Sequence, residues 1–447
     1  MVSKGLARQS LTLEIRGAAM PKDVFPTDAA TLSARFSAVR ERFLTLAAPL
    51  SAEDLCVQTM EDVSPGKWHL AHVTWFWETF LLRAADPAYA VFDERFGFLF
   101  NSYYEAVGER HARPDRGFLT RPSLEAVLAY RRHVDAAVKD WLSAATPQSL
   151  APWLDVILTG IAHEEQHQEL FLSDIKHVLS CNSFPEPAYA RPAPRFEALA
   201  PRVPDPNWVT FEGGVYSFGH DGEDFAFDHE GPKHEAVLTD FALADRPVTN
   251  AEYLAFMEDE GYRRAELWLA DGWSAICREA RTAPYYWRRT QEGWREFTLH
   301  GFQPLDPDAP VSHLDFYEAD AFAAWAGYRL PDEREWELAA RAYDPDRARW
   351  ADPEGWLHPD SRLDEAPLGA LFGQVWEWTR SSYSPYPRYR APEGAIGEYN
   401  GKFMCGQFVL RGGSALTPPA HMRPTYRNFF PPNARWQMSG LRLARDI

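Results

Sequence analysis

The sequence has few cysteines and no long apolar run, and these absences exclude several protein classes. The cysteines, Cys56, Cys181, Cys277 and Cys405, lie far apart and form no CxxC pair. This pattern predicts neither a disulfide framework nor a thiolate zinc site, and it indicates a reducing, cytoplasmic setting. No stretch approaches the roughly 20 apolar residues that a membrane-spanning helix requires. We therefore expect a protein without a membrane partner.

Basic residues are scarce relative to acidic ones. The chain has 46 Lys and Arg against 64 Asp and Glu, which gives a formal charge of −18. Because nucleic-acid phosphates are bound by clustered Lys and Arg, this balance argues against a nucleic-acid partner. It favours small-molecule substrates. Aromatic residues, in contrast, make up 14% of the chain and include 17 Trp, so we expect some of these rings to line a pocket.

The chain, at 447 residues, is long enough for two domains. We predict an N-terminal extension over residues 1–30 and a helical domain over 31–182. Four long segments of this domain have apolar residues at three- and four-residue spacing, which predicts a four-helix bundle. A proline-rich stretch predicts a semi-rigid linker over 183–206. Residues 207–447 alternate short strand-like pieces with turn residues, which is typical of an irregular α+β domain.

Histidines in two of the predicted helices are candidates for a metal site. His163 and His167 are four residues apart in GIAHEEQHQEL, so they share a helix face with Cβ atoms about 5–6 Å apart. WHLAHVTWFWETF adds His69 and His72. Three inward-facing neutral imidazoles would suit iron, zinc, copper or nickel. The residues alone leave open a metal site, a solvated polar face or hydrogen-bonded core histidines. HEEQH also matches the HExxH pattern of zinc proteases, although nothing else here indicates a protease.

The segment from 100 to 122 offers side chains for acid–base chemistry and for carboxylate binding. The phenols of Tyr103 and Tyr104 can donate a proton or a hydrogen bond. Arg113 and Arg116 can each bind a carboxylate through two parallel hydrogen bonds. The alternative is that the tyrosines pack against the core and the arginines are solvated.

A third candidate is the C-terminal stretch RPTYRNFFPPNARWQMSGLRLARD. It places Asn428, Phe429, Phe430 and Trp436 around a proline-rich loop. Aromatic rings around a quaternary ammonium ion stabilise it by cation–π interaction. A buried aromatic cluster that closes the last strand would have the same sequence, and both interpretations can hold together.

Specific motifs in both halves resemble one known family. KWHLAHVTWFWETFLL and HEEQHQEL resemble the DinB-like iron-binding domain of the ergothioneine-biosynthesis sulfoxide synthases, the EgtB family. The second half resembles the formylglycine-generating-enzyme fold, a C-type-lectin-like scaffold. Its motifs here are GGVYSFG, RPVTNAEYLAF, YRLPDEREWELAAR, GQVWEWT and VLRGGSA. A DinB-like half fused to such a second half is typical of the family.

The resemblance implies a metal site and a reaction. It implies Fe(II) bound by His72, His163 and His167, with His69 as a neighbour that is not a ligand. It also implies that O2 is a co-substrate and that a thiol sulfur is joined to C2 of the imidazole of hercynine, giving a sulfoxide. Tyr103 or Tyr104 would be the proton donor that directs the reaction away from simple thiol oxidation to a sulfinate.

The resemblance also suggests which residues bind the two organic substrates. Gln166 would hydrogen-bond the hercynine imidazole, and the C-terminal Asn-Phe pair would contact the rest of hercynine, with an aromatic face against its trimethylammonium group. Two arginines would bind the carboxylate of the thiol. The Asn-Phe pair is Asn428 and Phe429, and the two arginines are Arg113 and Arg116.

One departure from the family pattern concerns the sulfur donor. Members that use γ-glutamylcysteine carry an acidic residue after the Asn-aromatic pair, whereas this chain has Phe430 there. We therefore expect free cysteine as the donor. The chain also lacks the paired C-terminal cysteines of formylglycine-generating enzymes, since RGGSALTPPAHMRPTYRN contains none. That activity is not expected despite the fold.

Other functions remain open at the level of sequence. Related synthases would join hercynine to a selenosugar, or histidine to cysteine in an ovothiol-type reaction. A DinB-like metal-dependent thiol transferase would turn over without oxygen. A lectin-like binding module on a helical domain would have no catalytic metal.

Overall fold

The computed structural model describes most of the chain after residue 26. It covers residues 27–183, 186–190, 206–222, 224–343, 356–361 and 367–447, with the backbone alone at 11–12 and 395–396. The predicted extension over 1–30 and linker over 183–206 lie largely outside these residues, so both stay predictions. None of the helices within the described ranges is long and apolar enough to cross a membrane.

Four long helices dominate the N-terminal part, as the apolar periodicity predicts. A π-helical turn, Glu78–Leu82, extends the second of them. The helices are α1 (Ala29–Ala47), α2 (Gly66–Trp77), α3 (Arg83–Ala85), α4 (Phe96–Phe100), α5 (Leu124–Ala144), α6 (Pro147–Leu150) and α7 (Leu154–Ser180).

Two of the long helices begin at residues whose side chains cap them. The Asp28 carboxylate accepts hydrogen bonds from the backbone N–H groups of Ala30 and Thr31 at the start of α1. The Ser123 hydroxyl accepts one from Ala126 at the start of α5. Each bond satisfies an N–H group that has no partner within its own helix, which is why these polar residues favour a helix start.

Close packing of α2 against α7 depends on a glycine. A Cβ atom at Gly160 would lie 2.8 Å from the Trp77 ring, so only glycine lets this indole lie flat against α7. Phe36 of α1 then packs edge-to-face on Trp77, with ring centroids 4.8 Å apart. All of these rings are buried. The contact brings the histidine-bearing faces of α2 and α7 together.

A buried ion-pair network ties α7 to α1 and α5. Glu164 is fully buried and accepts hydrogen bonds from Arg40 of α1 and Arg131 of α5. Burial raises the pKa of Glu164, but the two guanidinium groups outweigh burial and hold the pKa below its usual value. Because an unpaired buried carboxylate would cost several kcal/mol, this pairing makes Glu164 a structural residue of the bundle.

The C-terminal part is an irregular α+β domain with small sheets, which confirms the predicted fold class. Its strands are β2 (Trp208–Phe211), β3 (Gly214–Phe218), β4 (His234–Leu238), β5 (Phe241–Pro247), β6 (Trp287–Thr290), β7 (Gly293–Thr298), β8 (Gly301–Pro304), β9 (Trp376–Ser382), β10 (Phe408–Arg411), β11 (Asn428–Phe430), β12 (Ser439–Gly440) and β13 (Arg442–Asp446). A short strand from the N-terminal segment, β1 (Leu11–Thr12), pairs in parallel with β2. Within the described residues the sheet orders are β1–β2–β5–β13, β11–β10–β9–β12, β3–β4 and β6–β7–β8. The helices are α8 (Asn250–Glu258), α9 (Ala270–Glu279), α10 (Phe316–Trp325) and α11 (Glu333–Ala340).

Helix α7 contacts the C-terminal domain through a carboxylate. Glu169 accepts hydrogen bonds from the Trp376 indole at 2.7 Å, the Ser414 hydroxyl at 2.6 Å and the Thr417 hydroxyl at 2.7 Å. Trp376 begins β9, a central strand of its sheet. One helix therefore belongs to the bundle core and also to the contact between the two domains.

Candidate metal centre and its surroundings

Three histidines from α2 and α7 converge inside the bundle. His72 comes from α2, while His163 and His167 lie one turn apart on α7. Their candidate ligand atoms all lie within 4.8 Å of one another, and the Nε2 atoms of His72 and His163 are 3.2 Å apart. All three side chains are buried. The arrangement matches the three-nitrogen site that the resemblance implies.

Neighbouring groups fix the orientation of two of these rings. The Nδ1 atom of His72 lies 2.7 Å from the carbonyl oxygen of Phe100, and its ring stacks on Trp68 with centroids 4.6 Å apart. The Nδ1 atom of His167 lies 2.8 Å from Nδ1 of His69. Both contacts occupy Nδ1 and leave Nε2 for a ligand. His69 thus contacts His167 without joining the cluster.

The cluster has the electrostatics of a metal site. Burial is the largest cause that lowers the pKa of each imidazole, to about 3 for His163 and well below the usual value for His72 and His167. All three rings are therefore neutral at physiological pH, and neutral imidazole is the form that binds a metal. The Nδ1 atom of His163 is buried without a hydrogen-bond partner among the described residues. These features fit a metal ion bound by three nitrogens.

The glutamates of GIAHEEQHQEL serve the fold and the domain contact. Glu164 pairs with the bundle arginines, Glu165 lies 3.2 Å from Nδ1 of His421, and Glu169 bonds the β9 region as described above. Within the described residues none of the three hydrogen-bonds His163 or His167. Their carboxylates are instead committed to the arginines of the bundle and to side chains of the C-terminal domain.

Tyr103 and Tyr104 lie at the contact between the bundle and the C-terminal domain. Tyr104 is fully buried, its ring is 5.6 Å from that of Trp75, and its hydroxyl has no partner among the described residues. Tyr103 stacks on Tyr104 at 4.7 Å and meets the Tyr399 ring edge-on at 6.4 Å. Burial raises the pKa of both phenols. Both therefore keep their proton at neutral pH.

The loop that carries these phenols is held from both domains. The buried Asn101 amide donates to the carbonyls of Tyr104 and Gly108, at 3.0 and 3.1 Å. From the C-terminal domain, the Glu398 carboxylate accepts from the backbone N–H groups of Glu105 and Ala106, at 3.0 and 2.8 Å. The position of the two phenols therefore depends on contacts from both halves of the chain.

Two C-terminal tyrosines at the site could not be predicted from the sequence. Gln166, on α7 between the ligand histidines, accepts from the Tyr399 hydroxyl and donates to the Tyr426 hydroxyl at 2.8 Å. The Tyr399 ring lies 5.7 Å from the His163 ring and stacks on Phe227 at 5.3 Å. No spacing signal links residues so distant in sequence. The C-terminal domain thus contributes an aromatic wall beside the histidine cluster.

Comparison with known proteins decides the family. Residues 35–171 match the model of the DinB superfamily, and residues 196–447 match that of the sulfatase-modifying factor enzyme 1-like domain. A hercynine oxygenase of Mycobacterium tuberculosis is 34% identical over 93% of this chain and 99% of that protein. The chain belongs to the hercynine oxygenase family. This result confirms the family that the motifs predict.

Two further relatives differ in how much of this chain they match. A hercynine oxygenase of Mycolicibacterium smegmatis is 33% identical over 93% of this chain and 99% of its own length. A formylglycine-generating enzyme of Streptomyces coelicolor is 29% identical over 53% of this chain and 88% of its own. The hercynine oxygenases match nearly the whole chain, whereas the second enzyme matches only about half of it.

The two candidate arginines of this hercynine oxygenase family member differ in their surroundings. Arg116 is buried, donates to the Ser64 hydroxyl at 2.8 Å and lies 3.4 Å above the centre of the Trp68 ring. Because Trp68 also stacks on His72, Arg116 lies one ring away from the histidine cluster. Arg113 is exposed, and its guanidinium donates to the carbonyl of Asp62. Of the two arginines, Arg116 is therefore the better placed to contact a molecule bound beside the histidine cluster.

The C-terminal segment spreads its three candidate residues over strand β11. Phe429 stacks on Tyr383 at 4.1 Å and lies 6.0 Å from Phe403, which in turn is 5.1 Å from Tyr103. Phe430 instead packs edge-on against Trp436 at 5.7 Å. Asn428 is half-buried, and its Oδ1 accepts from the backbone N–H of Phe429. Phe429 thus extends the aromatic wall of the C-terminal domain. Through Phe403, this wall reaches Tyr103 of the bundle.

Proposed function

We propose that the chain is an iron- and O2-dependent sulfoxide synthase that joins the sulfur of cysteine to C2 of the hercynine imidazole. The observation that carries this proposal is the buried cluster of His72, His163 and His167 in a chain of the hercynine oxygenase family. Atoms balance with one O2 per turnover, since one oxygen enters the sulfoxide and the other leaves as water. No further oxidant is required.

The proposed iron ligands are the three neutral imidazoles. A ferrous ion at this site would supply open coordination positions for O2 and for a thiolate, as three protein ligands leave room for both. His72 and His167 would bind through Nε2, because their Nδ1 atoms are engaged elsewhere. Burial of all three rings keeps them deprotonated, so binding costs little proton release near neutral pH.

Tyr103 and Tyr104 are the proposed proton donors. Their raised pKa values keep the phenols protonated. The Tyr104 hydroxyl is buried without a hydrogen-bond partner among the described residues, so it can donate without first breaking a hydrogen bond within the protein. A proton supplied in the site can favour C–S bond formation over oxidation of the thiol to a sulfinate. Buried phenols also exclude bulk water, which would otherwise supply protons without control.

The proposed hercynine subsite lies between α7 and the C-terminal domain. Gln166 would donate to, or accept from, the hercynine imidazole, and its amide is already oriented by Tyr399 and Tyr426. The aromatic wall that includes Phe429 suits a trimethylammonium group through cation–π attraction. Asn428, next to it on β11, would contact the hercynine carboxylate end.

Cysteine is the proposed sulfur donor. Arg116, with Arg113 nearer the surface, would bind its carboxylate. Members that use γ-glutamylcysteine carry an acidic residue where this chain has Phe430. The amino group of that larger donor would therefore find no ion pair at this position.

We also propose that the chain divides into a helical bundle over 31–182 and a C-terminal domain over 207–447, and that the two together form the site.

A substrate panel tests the proposal. Protein loaded with Fe(II) is incubated in air with hercynine or histidine, each paired with cysteine, γ-glutamylcysteine or a selenosugar, and adducts are quantified by mass spectrometry. We expect hercynine with cysteine to give the largest yield. A larger yield from another pair would overturn the substrate assignment. No adduct with any pair would overturn the whole proposal, and equal turnover without oxygen would indicate a thiol transferase.

A further inference from the structure

His69 and Asp174 form a hydrogen-bonded chain behind one of the ligand histidines. His69 is 2% exposed and Asp174 3% exposed, so both polar side chains are buried. Nδ1 of His69 lies 2.8 Å from Nδ1 of His167, and Nε2 of His69 lies 3.0 Å from Oδ2 of Asp174. Asp174 follows His167 by two helical turns on α7, so the two face the same side and His69 of α2 lies between them.

The positions of the protons in this chain follow from the metal site. If His167 binds a metal through Nε2, its remaining proton is on Nδ1 and is donated to Nδ1 of His69. His69 then carries its own proton on Nε2 and donates it to the Asp174 carboxylate. Each nitrogen has one role, and the series of donors ends on a negative charge.

The carboxylate itself is held from two sides. The backbone N–H of Ser64 donates to Oδ2 of Asp174 at 2.8 Å, just before α2 begins. The indole of Trp436, from the C-terminal domain, donates to Oδ1 at 3.3 Å. The orientation of Asp174, and through it that of His69, therefore depends on both domains.

We propose that His69 and Asp174 are positioning residues that fix the ring of His167 and increase its strength as a metal ligand. The proposal rests on the metal site of the proposed function. A carboxylate or carbonyl behind a ligand imidazole fixes its tautomer and raises its basicity, and loss of such a partner costs 10–100-fold in metal affinity. His72 has a carbonyl in this role, whereas His167 has an imidazole backed by a full negative charge.

Metal affinity of the full-length protein tests the proposal without any turnover. Fe(II) binding is titrated calorimetrically without oxygen, and Co(II) binding is followed by its absorption spectrum. His69→Leu removes both hydrogen bonds and is expected to weaken Fe(II) binding by about 10–100-fold. His69→Asn can still place an amide oxygen near Nδ1, so it is expected to recover part of that loss. Asp174→Asn removes the charge and one of the two acceptor oxygens but keeps one oxygen that can accept from His69, so it is expected to fall between His69→Asn and wild type.

A matched control is available on the same helix. His177 is a buried histidine that contacts Thr59 and Tyr285 and does not touch the cluster. His177→Asn should bind Fe(II) and Co(II) like the wild type, even if its unfolding temperature falls. The Co(II) spectrum should change in the His69 variants and stay unchanged in this control.

The outcomes separate this inference from the proposed function. If the wild type binds Fe(II) and the His69 and Asp174 variants bind it equally well, the positioning role is refuted and the metal site stands. If His177→Asn weakens binding as much as His69→Leu, the effect is general destabilisation and the positioning role is again refuted. If the wild type binds neither Fe(II) nor Co(II), both proposals fail.

Discussion

His69 and His72 lie three residues apart on one helix, yet only His72 joins the cluster. The sequence contains no signal that separates them, because both positions are apolar in context and both side chains are buried. Tertiary contacts decide: the Phe100 carbonyl and the Trp68 ring orient His72, while Asp174 turns His69 toward His167. The family resemblance implied His72, which is the histidine that the structure places in the cluster, whereas helical spacing alone left the choice open.

Replacement of the site phenols tests their role as proton donors. Tyr103→Phe or Tyr104→Phe should raise the share of cysteine sulfinate relative to sulfoxide, because the proton that favours C–S bond formation is lost. A shift of roughly 100-fold in the product ratio is expected, at the lower end of the range for general acid–base catalysis. Mass spectrometry of both products from one reaction measures the ratio directly.

Tyr399→Phe is the informative comparison for this experiment. Tyr399 is also buried, and its ring lies 5.7 Å from the ring of His163 in the histidine cluster. An unchanged ratio in both the Tyr103 and Tyr104 variants, together with a shift in Tyr399→Phe, would transfer the proton-donor role to the C-terminal domain.

Helix α7 is the element on which both halves of the site depend. It carries His163 and His167 of the histidine cluster, and it also carries Gln166 and Glu169, which bond the C-terminal domain. Apolar periodicity predicted this helix because its buried residues recur at helical spacing. Its polar partners Tyr399 and Tyr426 lie 233 and 260 residues from Gln166, so no local pattern could reveal them.

Loss of Glu169 tests how far this helix depends on the domain contact. Glu169→Ala leaves the Trp376, Ser414 and Thr417 donors without their shared acceptor, so we expect the free energy of unfolding to fall by roughly 2–4 kcal/mol. Chemical denaturation measures the change. Glu165→Ala is the matched control, since it removes a single 3.2 Å contact and should cost under about 1 kcal/mol. Equal losses for the two variants would show that the Glu169 contacts contribute no specific stability.

At the scale of the whole molecule, the histidine cluster belongs to the bundle, and its surroundings belong largely to the other domain. Trp436 contacts Asp174, Tyr399 and Tyr426 contact Gln166, and Glu398 bonds the loop of the two phenols. The fold of each half could be predicted from periodicity and family motifs. The way the halves meet could not, because it depends on single side-chain contacts between distant segments.

The four cysteines of the chain lie apart from the candidate metal site. All four are free, and none belongs to the histidine cluster. The C-terminal domain, which matches the sulfatase-modifying factor enzyme 1-like domain, here lies against a histidine cluster that the helical bundle carries. This is an example of one fold that supports a different chemistry through different side chains.

Oxygen-dependent formation of the C–S bond tests the central claim most directly. Fe(II)-loaded protein is mixed with hercynine and cysteine without oxygen, and oxygen-18 gas is then admitted. Mass spectrometry measures the mass of the product before and after this step. We predict no adduct before oxygen, a sulfoxide with one oxygen-18 atom afterwards, and no product from His163→Ala. An adduct that forms before oxygen is admitted, or that His163→Ala produces as well as the wild type, would contradict an iron-dependent sulfoxide synthase.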